Sequence, residues 1–353
     1  MKLPRSYKFI GGRITKTGIA VLVTALICHV LDWPAMFAVI TAIVTIEPTA
    51  ADSIKKAFIR FPASAIGAGF AVIFTFLFGD SPVSYTLVSL LTIIACHKLR
   101  LYDGMLVATL TGVAMITTVH DDYLTSFLIR LGTTSTGLIV SSLVNVFLIP
   151  PNYSKSITEG IHGLFKNAGD VLDKKAAELY EVPENEKDLQ QLFEKLHRDI
   201  EKIKRYCQYH KAEMKFHRSN RNEIRDFLYD TKKLKILQQI EHHLGNLIEL
   251  PFQPVKIDHQ KLDLLKSVFQ SLSRIFNEKN DRFIEEDEQL IIRLSEWLSE
   301  QWALKHDADY YIENHHHISS ETAILYELIS IYDLAEELNQ LHDLEVRHKQ
   351  LLR

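Results

Sequence analysis

The chain has 353 residues, enough for two domains, and carries 40 Lys+Arg against 44 Asp+Glu, a formal net charge of -4. The charge is unevenly placed: residues 1–151 hold 11 Lys+Arg and 7 Asp+Glu, and residues 152–353 hold 29 and 37. That split excludes a uniform soluble domain, and three scattered cysteines, Cys28, Cys96 and Cys207, exclude a disulfide framework and a cysteine-based zinc site.

In chain order, the arm up to Lys16 is basic and shows no small-residue cleavage site after the first apolar run. That run therefore reads as a retained span and not as a removable signal. A crossing helix needs about 20 mostly apolar residues. Six candidates follow, at residues 15–31, 34–49, 61–78, 83–96, 104–119 and 124–149. The second has 12 uncharged residues between Pro34 and Glu47, so taken alone it also fits a re-entrant or interfacial segment. The connectors at Asp32-Trp33, Gly79-Asp80-Ser81 and His120-Asp121-Asp122 lack Lys and Arg. The alternate connectors hold Lys55, Lys56 and Arg60, then Lys98 and Arg100, and the N-terminal arm adds Lys2, Arg5, Lys8, Arg13 and Lys16. This is the pattern of the positive-inside rule and predicts cytoplasmic N- and C-termini in a plasma-membrane protein.

Phe58-Ile59-Arg60-Phe61 resembles Leu128-Ile129-Arg130-Leu131, and Gly67 and Gly137 each follow seven residues after the arginine. Each segment opens the third helix of a three-helix half, so the halves would face opposite ways, as in many transporters. Chance similarity of glycine-rich apolar helices is the alternative.

Beyond Pro150-Pro151 the sequence reads as helix nearly throughout. Apolar stripes run through Leu189, Leu192, Phe193, Leu196, Ile200 and Ile203, through Ile224, Phe227, Leu228, Leu234, Leu237 and Ile240 (blurred at Tyr229–Lys233), through Leu290, Ile291, Leu294, Trp297 and Leu298, and through Ile324, Leu325, Leu328, Ile331, Leu334 and Leu338. Breaks fall at Pro183, at residues 218–222, at 251–254, near Asn280 and at 315–320. Such stripes predict a bundle, with charged faces open to solvent or to coiled-coil-like contact between copies in a homo-oligomer. The 16 histidines include His242-His243 and His315-His316-His317, without the spaced carboxylate partners of a metal site. The glycine-rich phosphate loop, His-Glu-x-x-His and Gly-x-Ser-x-Gly are also missing, so no enzyme, metal or cofactor is expected. Active transport would then draw on an ion gradient.

Lys16, Arg60 and Arg130 stand at or just inside span ends, where long cations either snorkel to headgroups or offset the charge of an anion in the path. Thr41 joins them as a candidate on the substrate path. Trp33, Phe37, Phe70 and Phe74 could line an aromatic substrate's route or anchor to lipid. Glu47 closes a short apolar run before Pro48. Desolvation there favours the neutral acid, which makes Glu47 the proton-coupling candidate, against the alternative of an ordinary interfacial acid.

The run from Trp33 through Pro48-Thr49, then Lys56-Ala57-Phe58-Ile59-Arg60 and Gly67, resembles the bacterial aromatic acid exporter family, which belongs with the fusaric acid resistance-like proteins. Gly12 to Thr17, Arg130-Leu131-Gly132-Thr133, Gly137 and Asn145 fit too, and the charged helical tail resembles the Gram-positive branch. Glu47, where the pattern has Gln, and Phe61-Pro62 depart from it. The reading is thus an all-α polytopic membrane protein. About six transmembrane helices in two inverted three-helix repeats occupy residues 1–151, and a cytoplasmic helical bundle occupies 152–353. The resemblance implies a secondary exporter of small aromatic carboxylates or related organic anions, proton-driven. Its partners would be membrane lipid and organic anions, with no nucleic acid. A passive organic-anion channel and a membrane-anchored helical sensor or scaffold are the alternatives.

Overall fold

The computed structural model describes residues 12–117, 122–148, 153–178, 186–215, 220–250, 258–277, 283–305 and 319–350. Among these residues lie twelve α-helices and no strand. They cluster as two units, Met1–Asn152 with Tyr209–Arg218, and Tyr153–Gln208 with Ser219–Arg353. The boundary expected at Pro150-Pro151, the loop residues His120-Asp121 and the histidine triplet 315–317 lie outside the described residues.

The first unit holds α1 (Gly12–Val30), α2 (Ala35–Thr45), α3 (Ala50–Phe78), α4 (Pro82–Lys98), α5 (Tyr102–Ile116) and α6 (Tyr123–Phe147). Proline sets several boundaries. Pro34 precedes α2, and Ile46-Glu47-Pro48 ends it, because proline supplies no N–H and drives the residue before it out of helical geometry. Thr49 caps α3 by accepting the Asp52 N–H, and Ser81 caps α4 with Pro82 in its first turn. Gly79 takes a positive φ of 62° where α3 stops.

Three helices, α1, α3 and α6, are long and apolar enough to cross a membrane. Two shorter apolar helices, α2 and α5, stand beside them, so of the six expected spans three have the length and composition to cross. At about 1.5 Å per residue, α2 with its 11 residues covers only ~16 Å of a ~30 Å hydrocarbon core. Its two flanking prolines leave it no room to extend.

The packing runs in matched pairs. Helix α2 lies on α6 and α5 on α3, α1 touches α2 and α6 while α4 touches α5 and α3, and α3 meets α6. Small residues allow the closest approaches, as they do between membrane helices. A Cβ on Gly67 would stand 2.5 Å from the Ala108 carbonyl oxygen, and one on Gly137 would stand 2.4 Å from that of Ala38. The turns after α1 and α4 also share one design. The Trp33 N–H bonds the Cys28 carbonyl at 2.9 Å, and the Leu101 N–H bonds the Cys96 carbonyl at 2.8 Å. Between them Asp32 and Arg100 take φ values of 55° and 59°.

The second unit comprises α7 (Tyr153–Glu178), α8 (Glu186–Glu213, up to Gln208), α9 (Arg221–Glu249), α10 (His259–Asn277), α11 (Glu285–Lys305) and α12 (Ser320–Gln350). Its core draws on the predicted stripes: Leu196, Ile200, Leu237, Ile240, Leu294, Leu325 and Leu328 are buried together with Leu172 and Phe269, whereas Ile224 and Leu228, at the start of the α9 stripe, are exposed. Polar ties lie among the helices. Asp287 takes hydrogen bonds from Arg274, Ser271 and the Ile284 N–H, and Glu327 meets His243 and Asn246.

Candidate functional site

Three cations predicted from sequence, Lys16, Arg60 and Arg130, are all buried in the first unit. A charge taken out of water costs several kcal/mol unless something offsets it. What surrounds each one therefore decides what it can do.

Arg60, on α3, is neutralised within the protein. Its Nη2 donates to Glu47 Oε1 at 2.9 Å, its Nη1 to the Val44 carbonyl at 3.0 Å and its Nε to the Asp103 carbonyl at 3.3 Å. Glu47 also pairs with Lys56 at 3.2 Å. The sequence reading treated Glu47 as a single acid in a dry run and Arg60 as a separate path residue. The chain brings them together instead, because Pro48 turns the backbone at the end of α2 and returns Glu47 toward the first turns of α3.

Lys16, on α1, donates to the Asn145 side-chain oxygen at 2.8 Å and to its backbone carbonyl at 3.3 Å. The Asn145 amide nitrogen in turn bonds the carbonyls of Glu47 and Thr49, each at 3.0 Å, and Ser53 Oγ at 2.7 Å. One amide thus ties α1 and α6 to the turn that opens α3.

Arg130, on α6, is different. It is 2% exposed. Its Nη2 donates to Ser64 Oγ at 3.3 Å, and its guanidinium carbon lies 4.3 Å above the centre of the Phe37 ring. Its Nε and Nη1 find no hydrogen-bond partner, and no carboxylate pairs with it among the described residues. Such a cation–π contact is worth up to ~2 kcal/mol, and one hydrogen bond to a charged group ~1.5–3 kcal/mol. The two open donors lie on different edges of the planar guanidinium, each beside Nη2, so either edge of this buried cation presents an open donor to a carboxylate.

The other candidates build the surroundings. Thr41 is buried, but its hydroxyl bonds the Phe37 carbonyl in the preceding turn, and its Cβ would meet a side chain at Gly137. It serves the α2–α6 packing. Trp33 packs its six-membered ring against Gly132, where any Cβ would stand 2.5 Å from it, two residues along α6 from Arg130. Phe70, Phe74 and Phe78 stack along α3 with ring centres 6.1 and 6.4 Å apart. A groove lined by Ile54, Phe58, Phe61, Leu138, Leu143 and Val146, with Ser135 and Ser142, has no charged group on its walls and gives a carboxylate no counter-charge.

Sequence reading named Phe37 as a path aromatic without linking it to Arg130, and missed Ser64 beside it. It also missed a second repeated signal, Cys28-His29-Val30-Leu31 against Cys96-His97-Lys98-Leu99, which marks the two matched turns. That signal is short and was hidden by different charges at its third position and just beyond it.

Residues 8–148 match the model of the family described as aromatic acid exporter family member 1. A UPF0421 protein of Bacillus cereus is 43% identical over 345 residues, covering 97% of this chain and 97% of its own. A UPF0421 protein of Oceanobacillus iheyensis is 40% identical, covering 93% and 95%. One from Halalkalibacterium halodurans is 33% identical, covering 95% and 90%. The likeness therefore extends through both units.

Proposed function

The chain belongs to the aromatic acid exporter family, and from that premise we propose that it is a secondary transporter carrying small aromatic carboxylates, or related organic anions, out across the plasma membrane. The observation that carries the proposal is Arg130. A buried guanidinium with two open donors beside an aromatic ring offers a carboxylate its counter-charge and an aryl group its stacking surface in one place. Gln, which is neutral, would offer neither the charge nor the fork.

The inverted-repeat architecture is part of the same proposal. Exchanging α1, α2 and α3 with α4, α5 and α6 maps the main helix pairings onto one another, the slight α2–α3 contact excepted, which supports two halves related by a two-fold axis. The same exchange relates Arg60 to Arg130. Glu47, which neutralises Arg60, corresponds by the same spacing to uncharged Thr117. One arginine of the pair is thus closed by a built-in carboxylate and the other is open to an external one. In a rocking mechanism the two ends would alternate. A proton arriving at Glu47 would release Arg60, so that Arg60 holds its own carboxylate and the organic anion in turn, and transport would depend on the proton gradient. Both termini lie in the cytoplasm in this scheme, with the second unit there too.

The test is efflux of a panel of labelled aromatic acids from cells with and without the protein, followed by Arg130→Gln and Arg130→Lys at equal membrane abundance. Loss of one charge-assisted bidentate contact costs about 3 kcal/mol, so R130Q is expected to lower efflux roughly a hundredfold, with R130K in between. Undiminished efflux in R130Q would remove Arg130 from the path. Counterflow in proteoliposomes separates a carrier from a passive channel.

A further inference from the structure

Arg130 and two hydroxyls close a ring of hydrogen bonds. Arg130 Nη2 donates to Ser64 Oγ at 3.3 Å, Ser64 Oγ lies 3.2 Å from Thr134 Oγ1, and Thr134 Oγ1 donates to the Arg130 carbonyl at 2.9 Å. A carbonyl only accepts, and a hydroxyl has one proton to give. The Thr134 proton is therefore spent on the Arg130 carbonyl. Ser64, which accepts from the guanidinium, gives its own proton to Thr134. The ring thus has one direction, and all three residues are buried. Because both hydroxyl protons are used inside the ring, the pair aims the guanidinium and gives no donor to an anion.

The same parts exist on the other half and are used differently. Thr134 stands four residues after Arg130, and Ser64 stands four residues after Arg60, the counterpart of Arg130. The bonds of Arg60 go elsewhere, to Glu47 and to the carbonyls of Val44 and Asp103. Arg130 keeps its Nη1 open, while the Ala114 carbonyl, 70 residues after that of Val44, takes the Thr117 hydroxyl at 3.2 Å. The ring can be closed equally from the Arg60 side. Arg60 would donate to Thr134 Oγ1, Thr134 to Ser64 Oγ, and Ser64 to the Arg60 carbonyl four residues back. Two guanidinium charges on one hydroxyl pair in a buried place would repel each other, so the arginines cannot use it together.

We propose that Ser64 and Thr134 are positioning residues of the transport cycle, a single seat that Arg130 holds in this structure and Arg60 holds in the opposite-facing state. The exchange reverses the bond between the two hydroxyls. Arg60 then has the open donors, and Arg130 takes the Ala114 carbonyl as Arg60 now takes that of Val44. The opposite-facing state rests on the exporter reading given above, whereas the competition of the two arginines for one seat can be read without any substrate.

The experiment measures the distance between spin labels at Lys55→Cys and Lys98→Cys, both exposed and one on each half, in the purified full-length protein without substrate and with the native cysteines replaced. Rocking is expected to give two distance populations. Arg130→Gln empties the seat of its present occupant, and the population that grows marks the state in which Arg60 holds it. Ser64→Ala removes the acceptor of Arg130 and leaves that of Arg60, so it is expected to shift the ratio in the same direction as R130Q. Thr134→Val keeps the shape but removes the acceptor of Arg60, so it is expected to shift the ratio the other way. A hydrogen bond to a charged group is worth roughly tenfold or more in an equilibrium, and each shift is expected on that scale. Ser64→Thr and Thr134→Ser keep the hydroxyls and are expected to stay near the wild-type ratio. If one variant does not fold, the direction of the other relative to R130Q decides. No shift, or a shift of S64A and T134V in the same direction, would overturn the proposal and leave the pair as a packing contact, even where R130Q abolishes efflux. Opposite shifts with undiminished efflux in R130Q would sink the reading of Arg130 as a substrate residue and leave the seat standing.

Discussion

Ser64 and Thr134 hydrogen-bond to each other, oxygen to oxygen at 3.2 Å, across the contact of α3 with α6, and they stand 70 residues apart. The same separation relates Arg60 to Arg130, Gly67 to Gly137 and Ala38 to Ala108. In the proposed inverted repeat, a residue bonded to its own counterpart would lie on the axis that exchanges the halves. The glycine contacts obey the same exchange, since Gly67 faces the Ala108 carbonyl and Gly137 faces that of Ala38.

This relationship predicts paired behaviour of the two glycines. In each case an added Cβ meets backbone, at 2.5 Å for Gly67 and 2.4 Å for Gly137, and backbone cannot swing aside. Gly67→Ala and Gly137→Ala are each expected to lower the melting temperature in detergent and the yield of folded protein, at a cost of about 1–3 kcal/mol. Gly69, also on α3, has nothing within 4 Å of its Cβ position. Gly69→Ala is expected to be neutral or to stabilise by up to ~1 kcal/mol from helix propensity. Equal melting temperatures for all three variants would contradict the close helix contacts.

The helices were largely legible because apolar runs, prolines and basic loops act locally, and each leaves its mark within a few residues. Pro34 and Pro48 announce the limits of α2, and the stripe from Leu189 to Ile203 announces the buried face of α8. The site was legible only in its residue types. Lys16, Arg60 and Arg130 stand out as cations near span ends, but which of them is neutralised depends on contacts such as Arg60 to Glu47 and Lys16 to Asn145. Those contacts are made by folding, between residues that no period or spacing connects. The bond from the Ala50 N–H to Glu213 had no sequence signal at all, since an acid near the end of a charged helix looks like any solvated one.

The second unit has an acid limit with a definite sign. Burial pushes the Asp287 carboxyl up, but the Arg274 side chain, the Ile284 N–H and the Ser271 hydroxyl outweigh it and hold it below the usual carboxylate range. Glu345 is likewise held low, against its burial, by Lys233 and Lys349. A depressed acid stabilises the fold fully above its unfolded value, and the contribution is lost as pH falls through the lower folded value. Asp287→Ala is expected to cost ~2–3 kcal/mol at pH 7, a figure reduced because Arg274 is partly exposed, and to flatten the acid limb of the stability curve. Burial raises Asp230, with opposing help from Thr158 and Lys233, so its ionised form costs stability at neutral pH. Asp230→Asn is expected to raise the melting temperature at pH 7 and to converge with wild type in acid. Denaturation monitored from pH 3 to pH 8 checks both signs.

Topology can be tested at the turn between α3 and α4. Ser81 is a poor position for a reporter, because its hydroxyl caps α4 at the Ser84 N–H and its loss costs about 1 kcal/mol. Asp80 is exposed beside it. With the three native cysteines replaced, Asp80→Cys is expected to react with an impermeant maleimide added to intact cells. Lys98→Cys, exposed at the end of α4, is expected to react only after permeabilisation. The reverse pattern would invert the orientation.

The last prediction concerns the Glu47–Arg60 pair, at 2.9 Å, with Lys56 as the second cation on the same carboxylate. Lys56 also pairs with Asp103 at 4.0 Å, so two positive and two negative charges balance while Glu47 is ionised. Protonating Glu47 leaves one excess positive charge and frees the Arg60 fork for an external carboxylate. In this scheme the proton and the anion bind as a neutral pair, and a pH gradient can drive the anion uphill. Glu47→Gln fixes the cluster in its proton-loaded charge state while keeping an oxygen that can accept from Arg60. The variant is expected to exchange labelled substrate for unlabelled substrate at a rate near wild type, because exchange needs no net proton movement. It is expected to lose accumulation against a gradient and the dependence of export on the imposed pH difference. Proteoliposomes loaded at one pH and diluted into another measure both in the same preparation. An E47Q protein that still concentrates substrate with the wild-type pH dependence would show that the carboxylate only braces Arg60 and Lys56. The coupling proton would then have to be carried elsewhere in the path.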